Sequence, residues 1–93
     1  MNLRKVYSLK SGVQVRRETF GLLFYDYRGP RLYFVPTKDL IEAEFFHGRR
    51  SVAELVGDIE ARHHWPTDWI EDRIDQVLTT LERKDLIHGQ SIC

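Results

Sequence analysis

The side chains able to carry covalent or metal chemistry are few in this chain, and their spacing does not bring them together. The single cysteine is the last residue, Cys93. A catalytic thiolate needs an ordered, electropositive niche, which a chain terminus rarely offers. A lone cysteine also closes no internal disulfide, so no bridged, secreted scaffold is indicated. The histidines are His47, His63, His64 and His88. None stands at the i, i+4 spacing of a helix-borne zinc pair, and no CxxC accompanies them. Adjacent His63 and His64 leave a helix in different directions and read as solvated helix-end groups favoured by the C-terminal dipole. The glycines form no phosphate-cradling loop, and the acidic residues fall on polar helix faces. Neither a catalytic set, nor a metal site, nor a cofactor is expected, and the protein reads as a non-enzyme.

What remains is chemistry of recognition. The aromatic run Leu22-Leu23-Phe24-Tyr25-Asp26-Tyr27 is separated from Arg31-Leu32-Tyr33-Phe34-Val35 by the turn residues Arg28-Gly29-Pro30, which reads as a β-hairpin. With the alternating Val13-Gln14-Val15-Arg16-Arg17 it makes a three-stranded antiparallel meander. A three-residue turn puts Leu22, Phe24, Leu32 and Phe34 on one face, and Leu23, Tyr25, Tyr27, Tyr33 and Val35 on the other. Both faces are then apolar, more than one helical layer buries. The excess would be covered by the segment Val6-Tyr7-Leu9, by a second copy, or by a partner. The last strand, Arg31 to Val35, is also an open edge, able to take an extended peptide by strand addition.

The period turns helical after Pro36. Thr37 is a plausible cap for a helix over 37–46, stopped at Gly48. Ser51-Val52-Ala53-Glu54 is a capping box and opens a helix that ends near His63-His64. Trp65-Pro66 interrupts, and Thr67 or Asp68 caps a third helix with Ile70, Ile74, Val77, Leu78 and Leu81 as its apolar stripe. Gly89 ends any extension past Leu86-Ile87. The expected fold is α+β and winged helix-turn-helix-like: an N-terminal three-stranded antiparallel β-meander followed by three α-helices. At 93 residues this is a single domain.

Fourteen basic residues balance fourteen acidic ones, yet the balance is uneven along the chain. Residues 1–36 hold seven basic and two acidic residues, a net +5, and residues 37–93 hold seven and twelve, a net −5. Such a division either marks an interaction surface or neutralises itself within the fold. No apolar run approaches the ~20 residues of a membrane span or forms a signal peptide. No membrane association is expected, and the default compartment is the cytoplasm.

His47-Gly48-Arg49-Arg50-Ser51-Val52-Ala53-Glu54-Leu55-Val56, placed between a short helix and a final amphipathic helix, resembles the PqqD family, small peptide chaperones of pyrroloquinoline quinone biosynthesis. Their fold recurs as the recognition element of many ribosomally made, modified peptides. The strand section Glu18-Thr19-Phe20-Gly21-Leu22-Leu23-Phe24-Tyr25, followed by Arg31-Leu32-Tyr33-Phe34-Val35, looks more like the branch serving mycofactocin biosynthesis. The resemblance covers about residues 11–88. It implies a non-catalytic peptide chaperone that binds a precursor peptide's leader by strand addition and presents it to a radical S-adenosylmethionine maturase, which carries the iron–sulfur chemistry itself. Carried onto this sequence, the peptide-binding positions are Arg31, Leu32, Tyr33, Phe34 and Val35 on the edge strand, with Ile70, Arg73, Ile74 and Val77 on the third helix. Arg28 and Arg31 would meet acidic leader side chains, and Arg73 would do the same from the cleft's other wall.

Two other readings share the layout. A winged-helix DNA-binding regulator would need a basic recognition helix. The third helix carries Asp68, Glu71, Asp72, Asp75, Glu82 and Asp85 against Arg73, Arg83 and Lys84, a net −3 that repels phosphate, so no nucleic-acid partner is expected. A homodimer joined through the aromatic sheet face is compatible with peptide binding.

Overall fold

The computed structural model describes residues 3–37 and 40–91. Its strands are β1 (Lys5–Leu9), β2 (Val13–Glu18), β3 (Gly21–Asp26), β4 (Arg31–Val35), β5 (His47–Ser51) and β6 (Ile87–Ser91). Two helices, α1 (Val52–His63) and α2 (Thr67–Arg83), follow β5. The α+β class and the β2-β3-β4 meander agree with expectation, whereas the helix count and the single sheet do not. Among the described residues there are two α-helices, not three, and a second antiparallel sheet in the order β5-β1-β6.

The helix expected over 37–46 is replaced by a turn at Thr37, whose carbonyl accepts from Leu40 and Ile41, and by a 3-10 turn at Ala43–Phe46. Lys38 and Asp39 lie outside the described residues. Phe45 and Phe46 are adjacent in this turn and both buried. Phe45 lies tilted against Tyr7 of β1 at 6.0 Å and Phe46 meets Phe24 of β3 edge-on at 5.3 Å, so contacts with both sheets, which no local helical period contains, hold the turn.

The capping box at Ser51 forms as expected: Glu54 N–H donates to Ser51 Oγ at 3.2 Å, and Ser51 N–H donates to Glu54 Oε1 at 3.0 Å. Val52, Leu55, Val56 and Ile59 make the buried face of α1. Its C-cap is His64, in the left-handed region at φ 56°. Pro66, not Thr67 or Asp68, is the N-cap of α2, and Thr67 donates its hydroxyl to Glu60 at 2.6 Å. Ile70, Ile74, Leu78 and Leu81 are buried along α2, with Val77 at the margin.

The segment Val6-Tyr7-Leu9 is β1, central strand of the second sheet, and does not cover the meander's outer face. Residues 47–51, expected as a link between helices, pair with one edge of β1, and residues 87–91 pair with the other. Gly89 therefore lies inside a strand and does not terminate a helix. A Cβ there would stand 2.8 Å from the Tyr7 ring.

The meander's register differs from expectation by one residue, with a large effect. Asp26 pairs with Arg31 around a four-residue loop, so Leu22 faces Val35 and Phe24 faces Tyr33. Directly opposed residues share a face, and a one-residue slip exchanges faces. Leu22, Phe24, Tyr33 and Val35 thus point to the core, with Val13 and Val15 from β2. Leu32 and Phe34 face outward with 63% and 44% exposure, beside Tyr25 and Leu23.

Gly21 lets the start of β3 lie directly against the end of β4. A Cβ on it would overlap the Val35 carbonyl and stand 2.8 Å from Thr37 N and 2.9 Å from Pro36 Cα, all backbone. We expect Gly21→Ala to cost about 1–3 kcal/mol, as forced overpacking does, read as a lowered thermal midpoint. A midpoint unchanged from wild type would show that the Val35–Thr37 backbone gives way freely.

Candidate functional site: the groove between β4 and α2

Among the described residues β4 pairs with β3 alone, which leaves its other edge facing α2. Between them runs a groove of about 190 Å³ lined by Tyr33, Val35, Gln76, Val77 and Thr80. A second hollow of about 110 Å³ continues on the far side of Tyr33, lined by Arg31, Leu32, Lys84 and Leu86, with Phe24 as its floor. Arg31 and Lys84 meet at one end, and Val35 and Val77 lie further along, so β4 and α2 run antiparallel.

An ion network holds the Arg31 end. Asp26 is 4% exposed and accepts from the Arg28 backbone at 3.0 Å, Arg28 Nε at 2.9 Å and the Arg31 guanidinium at 2.6 Å. Both arginines then reach across to the C-terminus of α2. Arg31 donates to the Lys84 carbonyl at 3.2 Å, and Arg28 donates to the Asp85 carbonyl at 2.6 Å and its carboxylate at 3.1 Å. Lys10 pairs with the same carboxylate at 3.2 Å. Hydrogen bonds from Arg28 and then Arg31 hold the Asp26 carboxyl well below the usual carboxylate range, against the opposing effect of desolvation. Asp85 is likewise lowered, first by Lys10 and then by Arg28. Arg28 and Arg31, which the resemblance would aim at a leader peptide, are therefore engaged within the chain.

The expected site residues divide by position. Tyr33 and Val35 line the groove wall and Val77 its opposite wall. Arg31 and Leu32 border the second hollow, and Phe34 lies on the outer face of the sheet. Ile70 and Ile74 are fully buried in the core, where they support α2 from beneath. Arg73 is exposed one turn beyond Gln76 and Val77, its guanidinium 5.3 Å from the Trp69 ring centre. Trp69 packs edge-on to Trp65 at 5.2 Å, and His63 stacks on Trp65 at 4.0 Å, so His63 is half-buried and not a simple solvated helix end.

Gln76, Thr80 and Lys84 were not anticipated. They stand at i, i+4 and i+8 on the polar flank beside the buried stripe, a spacing visible in the chain once the stripe's neighbour is known. Lys84 places Nζ 4.4 Å from the Tyr33 ring centre, closing the groove at that end. Among the described residues no group of three His, Cys, Asp or Glu could hold a metal ion, and Cys93 lies outside them.

Because the folded pKa of Asp26 lies below its unfolded value, the stabilisation it supplies is complete above the unfolded pKa of about 3.9 and is lost as pH falls below it. Urea unfolding between pH 7 and pH 2 is expected to show Asp26→Asn less stable at neutrality, with the gap to wild type closing below about pH 4. Parallel curves would mean that the network holds nothing together.

Residues 6–88 match the model of the peptide chaperone MftB family, a span that takes in β1 as well as the meander, both helices and the start of β6. No curated protein and no solved structure matches the chain significantly. On the strength of a match over most of its length, with the meander and amphipathic α2 inside it, the chain belongs to the peptide chaperone MftB family.

Proposed function

We propose that this protein is a non-catalytic cytoplasmic adaptor, which binds the leader of a ribosomally synthesised precursor peptide as an added strand on β4 and presents it to a radical S-adenosylmethionine maturase, of mycofactocin type or pyrroloquinoline-quinone type. The observation that carries this reading is the unpaired β4 edge facing the groove of Tyr33, Val35, Gln76, Val77 and Thr80. An extended peptide there satisfies its backbone on β4 and inserts alternate side chains beside Val35 and Val77. Val77 and Tyr33 are only half-buried without it. Ile70 and Ile74 act from beneath, by fixing where α2 lies. The radical and iron–sulfur chemistry belongs to the maturase.

A second reading, a homodimer, is favoured by one observation: Leu32 and Phe34 are exposed side by side on the outer face. It is compatible with the first, since the groove lies on the core side of the meander. Light scattering after size exclusion distinguishes the two states.

The adaptor reading is tested by NMR titration of the labelled chain with the leader of the precursor encoded nearby. Shifts should cluster in Arg31–Val35 and along 73–84. Thr80→Arg, which fills the groove, should weaken binding at least tenfold with an unchanged circular dichroism spectrum. Asp75→Arg, on the opposite side of α2, serves as the control. Shifts clustered on neither β4 nor α2 would show the site to lie elsewhere, and no binding even with the maturase present would sink the adaptor reading.

A further inference from the structure

The acidic residues of α2 are not spread evenly around it. At about 100° per residue, Trp69, Arg73, Gln76, Thr80 and Lys84 fall on one flank, with Asp72 at its margin accepting from Gln76 Nε2 at 2.9 Å, and Glu71, Asp75 and Glu82 fall on the opposite one. The flank beside β4 is thus the positive side of a negative helix. The arginines of the hairpin are neutralised by Asp26 and Asp85, but Lys84 and Arg73 make no ion pair among the described residues. Each leans on an aromatic ring instead, Lys84 on Tyr33 and Arg73 on Trp69. Such contacts hold a cation in place without cancelling its charge.

We infer that the groove selects peptides with two acidic side chains on one face of an extended segment, an even number of residues apart, with apolar residues between them. This rests on the strand-addition reading above and adds the side-chain rule. Lys84 and Arg73 are eleven residues apart on α2, about 16 Å at the helical rise of 1.5 Å. A strand rises about 3.3 Å per residue, so the same length spans about five peptide residues. Residues an odd number apart face opposite sides of a strand, so the pair facing α2 stands four or six apart. Between the two cations Tyr33 and Val35 face Val77 as the apolar part of the wall, with Gln76 and Thr80 as its polar part. The intervening side chains that point the other way meet Leu32 and Phe34, the exposed apolar pair on the outer face.

The test uses the ¹⁵N-labelled full chain and synthetic nonapeptides, apolar apart from two glutamates spaced four, five or six apart, each with a glutamine counterpart. At low salt the peptides with even spacing should bind at least about threefold tighter than their glutamine counterparts and than the odd-spaced peptide. The advantage should shrink at about 0.5 M salt. In Lys84→Glu the preference should invert, with lysine in place of the matching glutamate binding tighter. Equal affinity for glutamate and glutamine peptides, with shifts still on Tyr33, Val35 and Val77, overturns the charge rule and leaves the adaptor reading standing. Odd spacing that binds as well as even overturns the spacing. No shifts on β4 or α2 from any peptide at millimolar concentration overturns both the rule and strand addition.

Discussion

A carboxylate that is almost wholly withdrawn from water persists only when its charge is matched and its lone pairs are occupied. Asp26 meets that condition through Arg28 and Arg31, and the placement of everything around the groove follows from how it does so. Both arginines have donors left after serving Asp26, and they give them to the carbonyls of Lys84 and Asp85, just past the end of α2, and to the Asp85 carboxylate. A helix C-terminus carries unsatisfied carbonyls and partial negative charge, so it is a natural partner for the two guanidinium groups. The hairpin and α2 are thereby tied at one end. Further along, the buried stripe of α2 and the inward face of the meander share one core, which fixes the separation there.

The uneven charge along the chain acquires a structural meaning from this network. The basic first third and the acidic remainder meet at Lys10, Arg28 and Asp85, so much of the opposition is settled inside the fold. Arg16 is likewise matched locally by Glu18. The cations left on the groove side belong to the acidic part of the chain. A surface field depends on where charges sit and which are paired, and a count by segment records neither. On the far side of α2, Asp75 and Glu82 face solvent and Glu71 is half-buried.

The family match covers more of the fold than the groove does. The match extends over β1, which takes no part in the groove but anchors the second sheet and carries Tyr7 into the core beside Phe45. That sheet is separate from the meander, in which β4 is an outer strand. An edge flanked by a helix with small and polar side chains, Thr80 and Gln76, accommodates another backbone more readily than one packed against large residues.

Local signals in the chain were enough for the meander, α1 and α2. The strands alternate or are aromatic-rich, the capping box at Ser51 names a helix start, and the stripe from Ile70 to Leu81 repeats at the helical period. The open strand at Arg31–Val35 was legible for the same reason. Long-range structure decided the rest. The run His47-Gly48-Arg49-Arg50-Ser51 has no strand pattern of its own and becomes β5 because β1 offers it an edge. The register of the hairpin turns on one loop residue, which determines whether Tyr33 and Val35 or Leu32 and Phe34 line the core, and strand parity makes that choice all-or-none. The availability of each arginine depends on Asp26 and Asp85, and Asp85 is far from both arginines in sequence. What the amino-acid order determined alone was the three strands of the meander, α1, α2 and where an edge would be left. Which face of that edge is buried, and which cations remain beside it, was decided only by packing, because pairing across a fold depends on residues that no local window contains.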